Sequence, residues 1–377
     1  MKLEQICWKN AEKGWEVIKS ELDPSDQVQL VIAFGHPDLC KSAEHYDSLK
    51  SRYPDAQIVG GSTAGNVLGT SLSDNDIVAT AVHLEKSHIK VISENIKDPS
   101  NLQQAASDMV KQLDKPDLKH IFVLSDGIHF NGSELAKGLN TLSDVASTGG
   151  LVGDQANFKN TYVIANNPGQ ENLVVMVGFY GKNLHTGHGC LAGWGEFGID
   201  RVITKSTGNI VYEIDNQPAL ELYKKYLGEF AEQLPASGLR FPLSIRQDEN
   251  RTLIRTLLSV NKEEQSLTFA GDVPEGSITL LMKGNVDDLI KSAGEAAKQA
   301  RYSDEKRGLA IIISCVGRKL LMDQMTCEEI ETVQDSLGQN TWITGFYSYG
   351  EISPFNKNFK QCNLHNQTMT LMTIYED

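Results

Sequence analysis

The sequence predicts an α+β protein of two domains, in which mixed and largely antiparallel sheets are flanked by helices. Two patterns support this fold class. A strand-helix-strand unit occurs three times, beginning at Leu30, His120 and Leu309. Between the units lie alternating apolar and polar runs separated by Asn-Pro-Gly and Gly-Lys-Asn turns, which are typical of antiparallel strands. Reuse of one unit in both halves predicts two related domains.

Each unit closes on a glycine-rich strand end. These ends are residues 61–65, 149–153 and 345–350, and they are followed by Asn66, Asp154 and Glu351. Glycine permits positive φ and close approach of two backbones, so the ends are expected to form β-bulges or to line a ligand pocket. The residues leave both alternatives open. In either case we expect the ends to meet at the interface between the two domains.

The composition is that of a globular protein without long disordered segments. Of 377 residues, 22% are charged and 40% are hydrophobic, which supports ordinary cores in two or three domains. The formal net charge of -14 disfavours non-specific binding to nucleic acid or to an anionic membrane. Neither a signal-peptide core nor a long apolar run is present, so a cytoplasmic location is predicted. The six scattered cysteines indicate reduced thiols.

The first half is predicted to begin with a helix over residues 8–22 that an Asp-Pro pair ends, so that segment 1–27 forms an N-terminal helix. The first domain is predicted over 28–210. Within it, the runs IVATAVHL and HIKVISENI are expected to pair as antiparallel strands, and a helix is expected over residues 102–113. The segments TYVIANN, ENLVVMVGFY and LHTGHGC are expected to be strands.

The second domain is predicted over 211–377. A helix, a long hairpin and a second helix over residues 287–301 lead to the third unit. The helix of that unit is expected to start with a capping box from Thr326 to Glu329 and to end at Gly338.

Eight motifs follow one another along the chain: STAG, SDG, GGLVGD, GWGEFG, GNIVYEIDNQPALELY, ISCVGR, GFYSYGEISP and LHNQTMTL. Together they resemble the bacterial FIST family, in which a FIST N and a FIST C domain occur in tandem. The resemblance spans roughly residues 28 to 376. It implies a non-enzymatic intracellular sensory module for a small ligand.

No fused signalling domain is recognisable in the sequence, and in this respect the chain is similar to the nitric-oxide-sensing haem proteins of the family. That similarity implies haem b as cofactor, nitric oxide as signal, and a separate partner such as a sensor histidine kinase or a cyclic-di-GMP enzyme. Other members are regarded as amino-acid sensors, so an amino-acid-like ligand held between the two FIST domains is the alternative. A homo-oligomer is compatible with both, and no nucleic-acid or membrane partner is expected.

A non-covalent haem needs an apolar slot and an axial ligand, and it leaves little trace in a sequence. We rank His188 first as the iron ligand because it shares a strand face with Cys190, lies among glycines and precedes Trp194. His129 and His36 follow the first strands of their units, where sites form in α/β sheets. Solvated or core positions better explain His45, His83, His88 and His120.

The alternative ligand site is predicted from polar residues at or near the strand ends. These are Asp126, Asn131, Asp154, Arg318, Tyr347, Glu351, His365 and Asn366. An arginine and several acids suit a zwitterion, whose carboxylate the arginine binds through two hydrogen bonds. The same acids can instead cap turns, and the sequence does not decide between these roles.

An enzyme is the least favoured hypothesis. Cys315 and His365 have the residue types of a nucleophile and its base, but Cys315 ends an apolar strand where a buried thiol is ordinary packing. The sequence contains no H-E-x-x-H, Walker or G-x-S-x-G motif.

Overall fold

The computed structural model describes residues 1–10, 13–248 and 251–377. The strands of the first half are β1 Lys2–Asn10, β2 Gly14–Ser20, β3 Leu30–Gly35, β4 Gln57–Ser62, β5 Asn66–Leu68, β6 Ser71–Ser73, β7 Ile77–His83, β8 His88–Asn95, β9 Leu118–Ser125, β10 Ala146–Leu151, β11 Val163–Ala165, β12 Leu173–Tyr180 and β13 Leu184–Leu191. The later strands are β14 Trp194–Glu196, β15 Arg201–Thr207, β16 Ile210–Ile214, β17 Gln217–Pro218, β18 Leu243–Arg246, β19 Thr252–Arg255, β20 Leu257–Asn261, β21 Ser266–Phe269, β22 Ile278–Gly284, β23 Gly308–Cys315, β24 Thr341–Ser348, β25 Gly350–Pro354, β26 Cys362–His365 and β27 Met369–Glu376. The helices are α1 Pro37–Cys40, α2 Ala43–Arg52, α3 Leu102–Leu113, α4 Gly132–Leu139, α5 Ala219–Leu227, α6 Val286–Ala300, α7 Val316–Met322 and α8 Thr326–Leu337, with 3-10 turns at Pro99–Asn101, Gly228–Gln233, Ala236–Arg240 and Asp323–Met325.

Three six-stranded sheets form the core, and each contains one predicted strand-helix-strand unit as a parallel pair. The pairs are β3 with β4, β9 with β10, and β23 with β24. An antiparallel strand lies beside the first member of each pair, namely β7, β12 or β27. Beside the second member lies a strand from another unit: β11 on β4, β25 on β10 and β5 on β24. The three units therefore exchange strands in a closed cycle.

The glycine-rich ends meet at the centre of this cycle. Three backbone hydrogen bonds connect them, from Gly153 N to Ser62 O (3.0 Å), from Ala64 N to Tyr347 O (2.9 Å) and from Tyr349 N to Leu151 O (2.9 Å). The predicted convergence of the ends is confirmed by these bonds. Each of these bonds links a different pair of units. The three units are therefore arranged around the junction as an approximate threefold repeat.

Two of the strand glycines show why glycine is needed there. A Cβ atom on Gly60 would lie 1.7 Å from the Ala33 carbonyl oxygen, and one on Gly149 would lie 1.8 Å from that of Val123. These distances lie inside the parallel pairs, so the glycines permit close approach of two strands within a sheet.

Residues 194–284 form a separate body, here called the insert, between β13 and α6. Its nine-stranded sheet, β14 to β22, encloses its own apolar core with α5. Its contacts with the core include three hydrogen bonds at the start of α4 and on β26. Asn131 Nδ2 donates to Asp272 Oδ1 (2.9 Å), Asp272 N donates to Ser133 Oγ (3.1 Å), and the buried Arg255 donates to the Leu364 carbonyl (3.0 Å). The insert therefore covers α4 and β26.

The predicted fold class is confirmed: the chain is an α+β protein of two domains with mixed, mostly antiparallel sheets. The strand exchange was not predicted. No helix among the described residues has the length and apolar character needed to span a membrane.

The predicted N-terminal helix over 8–22, and with it the helical assignment of 1–27, is wrong. β1 and β2 form an antiparallel hairpin in which Trp8 lies opposite Trp15, their ring centroids 5.6 Å apart. Residues 11 and 12, which the helix would have included, lie outside the described residues. Cross-strand tryptophan packing and pairing with β7 outweigh the local helical pattern.

Two further local predictions are wrong. The runs that form β7 and β8 do not pair: β7 lies between β3 and β1, whereas β8 pairs with β12. The capping box is also wrong, because Thr326 is already helical and Met325 caps α8. The expected helices over 102–113 and 287–301 agree with α3 and α6.

Candidate functional site

Two large cavities lie between the core and the insert. The first, the His129 cavity, has a volume of about 700 Å³, and the second, the His365 cavity, has about 740 Å³. Leu364 lines the first cavity and His365 lines the second, so β26 separates them. Both volumes are in the range of about 300–1,000 Å³ that is usual for small-molecule and cofactor sites.

The His129 cavity has largely apolar walls. The core contributes residues from the loop after β9 and from the glycine-rich ends, and the insert contributes residues from its 3-10 turn and from β20 and β21. Its apolar side chains include Phe130, Phe158, Leu239, Leu257, Tyr349 and Leu364. Asn131 and Asn209 are its amide side chains. Among the described lining residues there is no lysine or arginine.

The ring of His129 is oriented by Asp126. Nδ1 of His129 lies 2.9 Å from Asp126 Oδ2, and Asp126 Oδ1 also accepts from the backbone N–H groups of Ile128 (2.8 Å) and His129 (3.1 Å). Burial raises the pKa of Asp126, but hydrogen bonds from the N–H groups of Asn172 and Ile128 and from His129 outweigh it, so the pKa lies below its usual value. The carboxylate is therefore ionised, and Nδ1 carries a proton.

This orientation leaves Nε2 as the ligating nitrogen of His129. No described residue hydrogen-bonds to it, and the side chain is 38% exposed. A histidine whose other nitrogen donates to a carboxylate has the arrangement found at metal-ligating histidines.

A loop held by Asp154 forms one edge of the cavity. The Asp154 carboxylate accepts from the N–H groups of Phe158 (2.8 Å), Lys159 (2.7 Å) and Asn160 (3.0 Å), and from the hydroxyl of Tyr349. The Phe158 ring stacks on Tyr349 with centroids 4.4 Å apart, although Phe158 is 47% exposed. Asp154 thus positions two aromatic rings at the mouth of the cavity.

The set predicted for the alternative ligand does not converge on one cavity. Asn131 lines the His129 cavity, Asp126 and Asp154 support it from behind, and His365 lines the other cavity. The other predicted residues, Arg318, Tyr347, Glu351 and Asn366, are buried and line neither cavity.

Arg318 is fully buried and its donors are used within the protein. Nε donates to Glu329 Oε1 (2.7 Å), and the terminal nitrogens donate to the carbonyls of Ala192 (2.6 Å) and Leu289 (2.8 Å). The Tyr347 hydroxyl donates to the other oxygen of Glu329 (2.7 Å). The arginine expected to bind a ligand carboxylate is therefore committed to an internal ion pair.

Glu351 is a buried carboxyl group with an unusual pKa. Ser348 Oγ donates to it (2.6 Å), as do the backbone N–H (3.1 Å) and hydroxyl (2.9 Å) of Thr368. Burial is the largest effect and raises the pKa of Glu351 to about 7 despite these donors. The pKa of a glutamate in an unfolded chain is about 4.3. Between this pH and about 7, the folded protein therefore keeps a proton on Glu351 that the unfolded chain has lost. Stability contributed by Glu351 therefore decreases as pH rises through this window.

We predict that Glu351→Gln removes this dependence. The free energy of unfolding of the variant, relative to the wild type, should rise between mildly acidic and neutral pH, by at most roughly 3 kcal/mol. Urea denaturation at several pH values measures it. If the free energies of unfolding of the two proteins change in parallel with pH, Glu351 is ionised over this pH range in the folded wild type, and the prediction is wrong.

The histidine ranked first for haem lies elsewhere. His188 is buried in β13, its Nε2 is 3.0 Å from the Asn356 carbonyl oxygen, and its ring centroid is 6.1 Å from that of His120. Burial lowers the pKa of His188. His36 accepts from Asp38 N through Nδ1 (3.2 Å) at the start of α1. Neither residue lines the two large cavities.

The cysteine of the enzyme hypothesis has no sign of activation. Cys315 is buried, and burial raises the pKa of its thiol far above the usual value. A thiolate nucleophile requires the opposite shift. Within the described residues, no group of three or more His, Cys, Asp or Glu side chains is arranged to hold a metal ion.

Many residues that line the His129 cavity were not predicted from the sequence. Phe158 and the insert residues Leu257 and Phe269 lie outside the eight motifs. The usable signals were the positions of His129 and Asn131 after the first strand of their unit, and the glycine-rich strand ends, which contribute Leu151 and Tyr349 to the lining.

The fold and the cavities define a two-domain α+β binding protein. Comparison with known families identifies it further: the FIST N domain matches residues 29–217 and the FIST C domain matches residues 219–354, so the chain belongs to the FIST family. FIST domains are sensory domains of signal transduction and not a catalytic family. An uncharacterized protein of Methanocaldococcus jannaschii is 25% identical over 344 residues, which cover 84% of this chain and 65% of that relative.

Proposed function

We propose that this protein is a haem-binding nitric oxide sensor in which the His129 cavity holds haem b and His129 is the axial ligand. The observation that carries the proposal is the ring of His129, held by an ionised Asp126 at the wall of a largely apolar cavity. When bound, the haem iron supplies the coordination position for nitric oxide.

The residues of the cavity fit the needs of a haem. His129 offers Nε2, and Asp126 fixes the orientation of the ring through Nδ1, as carboxylates do behind metal-ligating histidines. Phe130 and Leu364 provide apolar walls for a flat macrocycle. The described lining residues include no lysine or arginine that would pair with the propionates, so this cavity would hold the haem through His129 and its apolar walls.

The cavity walls also provide a route for the signal. One wall belongs to the core and the other to the insert, so an occupant contacts both bodies. At the mouth, the Phe158–Tyr349 stack rests on Asp154. A ligand state that favours one arrangement of these bodies by about 1–3 kcal/mol would change affinity for a partner. We propose a sensor histidine kinase or a cyclic-di-GMP enzyme as that partner.

Haem reconstitution tests the assignment. Wild-type protein should give a Soret band that shifts with nitric oxide, and His129→Ala should lose or strongly shift this band while its circular dichroism is retained. His188→Ala and His36→Ala are matched controls and should keep the wild-type spectrum, because neither residue lines a large cavity.

A second variant tests haem binding at the His129 cavity without changing His129. Ala236 is exposed at the His129 cavity, and Ala236→Trp should fill the mouth and reduce haem binding with the histidine intact. If the band is lost in His188→Ala and kept in His129→Ala, the proposed ligand is wrong. If no variant and no wild-type sample binds haem, the haem proposal fails altogether.

A further inference from the structure

We propose that the His365 cavity is a second ligand site, specific for a small organic ammonium ion with an apolar body. The cavity, of about 740 Å³, lies on the opposite side of β26 from the His129 cavity. Its lining includes Trp194, Ser244, Met282, Phe355, His365 and Thr368. The proposal is independent of haem binding.

Three of the four hydroxyl side chains of the lining, those of Ser244, Thr279 and Thr368, have hydrogen-bond partners inside the protein. Ser244 Oγ lies 3.2 Å from the Leu280 carbonyl oxygen, and Thr279 Oγ1 lies 2.7 Å from that of Ser244. Thr368 Oγ1 lies 2.9 Å from a Glu351 carboxyl oxygen. A carbonyl oxygen can only accept, so Ser244 and Thr279 must donate to these partners. Their own oxygens keep lone pairs for a donor in the cavity.

The ring N–H groups of His365 and Trp194 on the lining also donate to carbonyl oxygens of the protein. His365 Nε2 lies 2.9 Å from the Ser353 carbonyl oxygen and so carries the proton, which leaves Nδ1 as an acceptor. Burial lowers the pKa of His365 to about 4, so the ring is neutral at physiological pH. Trp194 donates its only N–H to the Gln367 carbonyl (3.1 Å). Most polar groups of the wall therefore accept hydrogen bonds.

Charge and aromatic surface favour a cation. Glu196 and Asp200 lie on the lining with a single described cation, Arg246, whose guanidinium is 3.0 Å from Asp200. Trp194 on the lining is the side-chain type best suited to a cation–π contact, whereas the Phe355 ring already has the Arg251 guanidinium 5.6 Å from its centroid. An ammonium group satisfies several acceptors at once, whereas a carboxylate would face an acceptor-rich wall. Besides Arg246, the donors on the lining include the amides of Gln299 and Asn356 and the hydroxyl of Thr252.

Calorimetric titration of the full chain with phenethylammonium at neutral pH tests the proposal. Phenethyl alcohol, which has the same shape without the charge, should bind about tenfold more weakly or worse, because charge-assisted hydrogen bonds are roughly twice as strong as neutral ones. L-Phenylalanine should bind more weakly than the amine, and hydrocinnamate should not bind. Equal binding of amine and alcohol would overturn the proposal.

Two tryptophan substitutions locate the binding. Ile278 is 37% exposed on the lining, and Ile278→Trp should block the cavity and abolish amine binding with the fold intact by circular dichroism. Glu196→Gln should weaken the amine about threefold while leaving the alcohol unchanged, as expected for a partly screened charge. Ala236→Trp, in the other cavity, should have no effect. Amine binding that survives Ile278→Trp, or is lost in Ala236→Trp, would contradict the proposed location, whatever the result for haem.

Discussion

Gly149→Ala is expected to destabilise the folded protein severely. A Cβ atom at this position would lie 1.8 Å from the Val123 carbonyl oxygen and 2.9 Å from Val123 Cγ1. Both contacts belong to the neighbouring strand β9, so relief requires the parallel pair to separate. The cost should exceed about 4 kcal/mol, which is a large part of a typical total stability of about 5–15 kcal/mol. Circular dichroism and urea denaturation measure the loss.

Gly195→Ala is the matched control for this substitution. Gly195 also lies in a strand, but a Cβ there meets only the Lys283 carbonyl oxygen at an ordinary 3.6 Å. The free energy of unfolding of Gly195→Ala should differ from that of the wild type by less than about 0.5 kcal/mol. Gly60→Ala should behave like Gly149→Ala, since its Cβ would lie 1.7 Å from the Ala33 oxygen. A folded Gly149→Ala protein of wild-type stability would show that the β9–β10 contact is looser than described.

The second large effect is expected from Arg318→Met. This substitution leaves the Glu329 carboxylate buried without its cation, which should cost about 3–5 kcal/mol of unfolding free energy. The carbonyls of Ala192 and Leu289 also lose their donor. The loss should appear in urea denaturation as a lower midpoint with an unchanged slope.

A double-mutant cycle with Glu329→Gln separates the ion pair from the other contacts. Glutamine removes the uncompensated charge and still accepts from Tyr347, so Arg318→Met/Glu329→Gln should be more stable than Arg318→Met alone. Simple addition of the two single losses would mean that Arg318 and Glu329 do not interact. If Arg318→Met keeps wild-type stability but loses binding of a carboxylate ligand, Arg318 is a ligand-binding residue after all.

Local patterns were sufficient for the elements whose partners are close in sequence. The parallel pairs β3–β4, β9–β10 and β23–β24, each with its connecting helix, were predicted as units because strand and helix periods alternate over short distances. The N-terminal hairpin was not, since Trp15, Ile18 and Leu22 have a helical spacing and β7 completes the sheet from a distant segment. The partners of the short exchanged strands β5, β11 and β25 were not predicted, because each strand pairs with a strand of another unit.

Residue types and motif order by themselves determined the family, the α+β class and the three candidate haem histidines. Only the tertiary structure decided how these candidates differ. The sequence ranked His188 above His129, but the Asn356 carbonyl, 168 residues away, occupies Nε2 of His188, whereas a neighbouring carboxylate occupies Nδ1 of His129. Likewise, Arg318 suits a ligand carboxylate until Glu329 is found beside it in the interior. The physical reason is the same in each case: the availability of a polar group depends on its hydrogen-bond partners, and long-range packing supplies them.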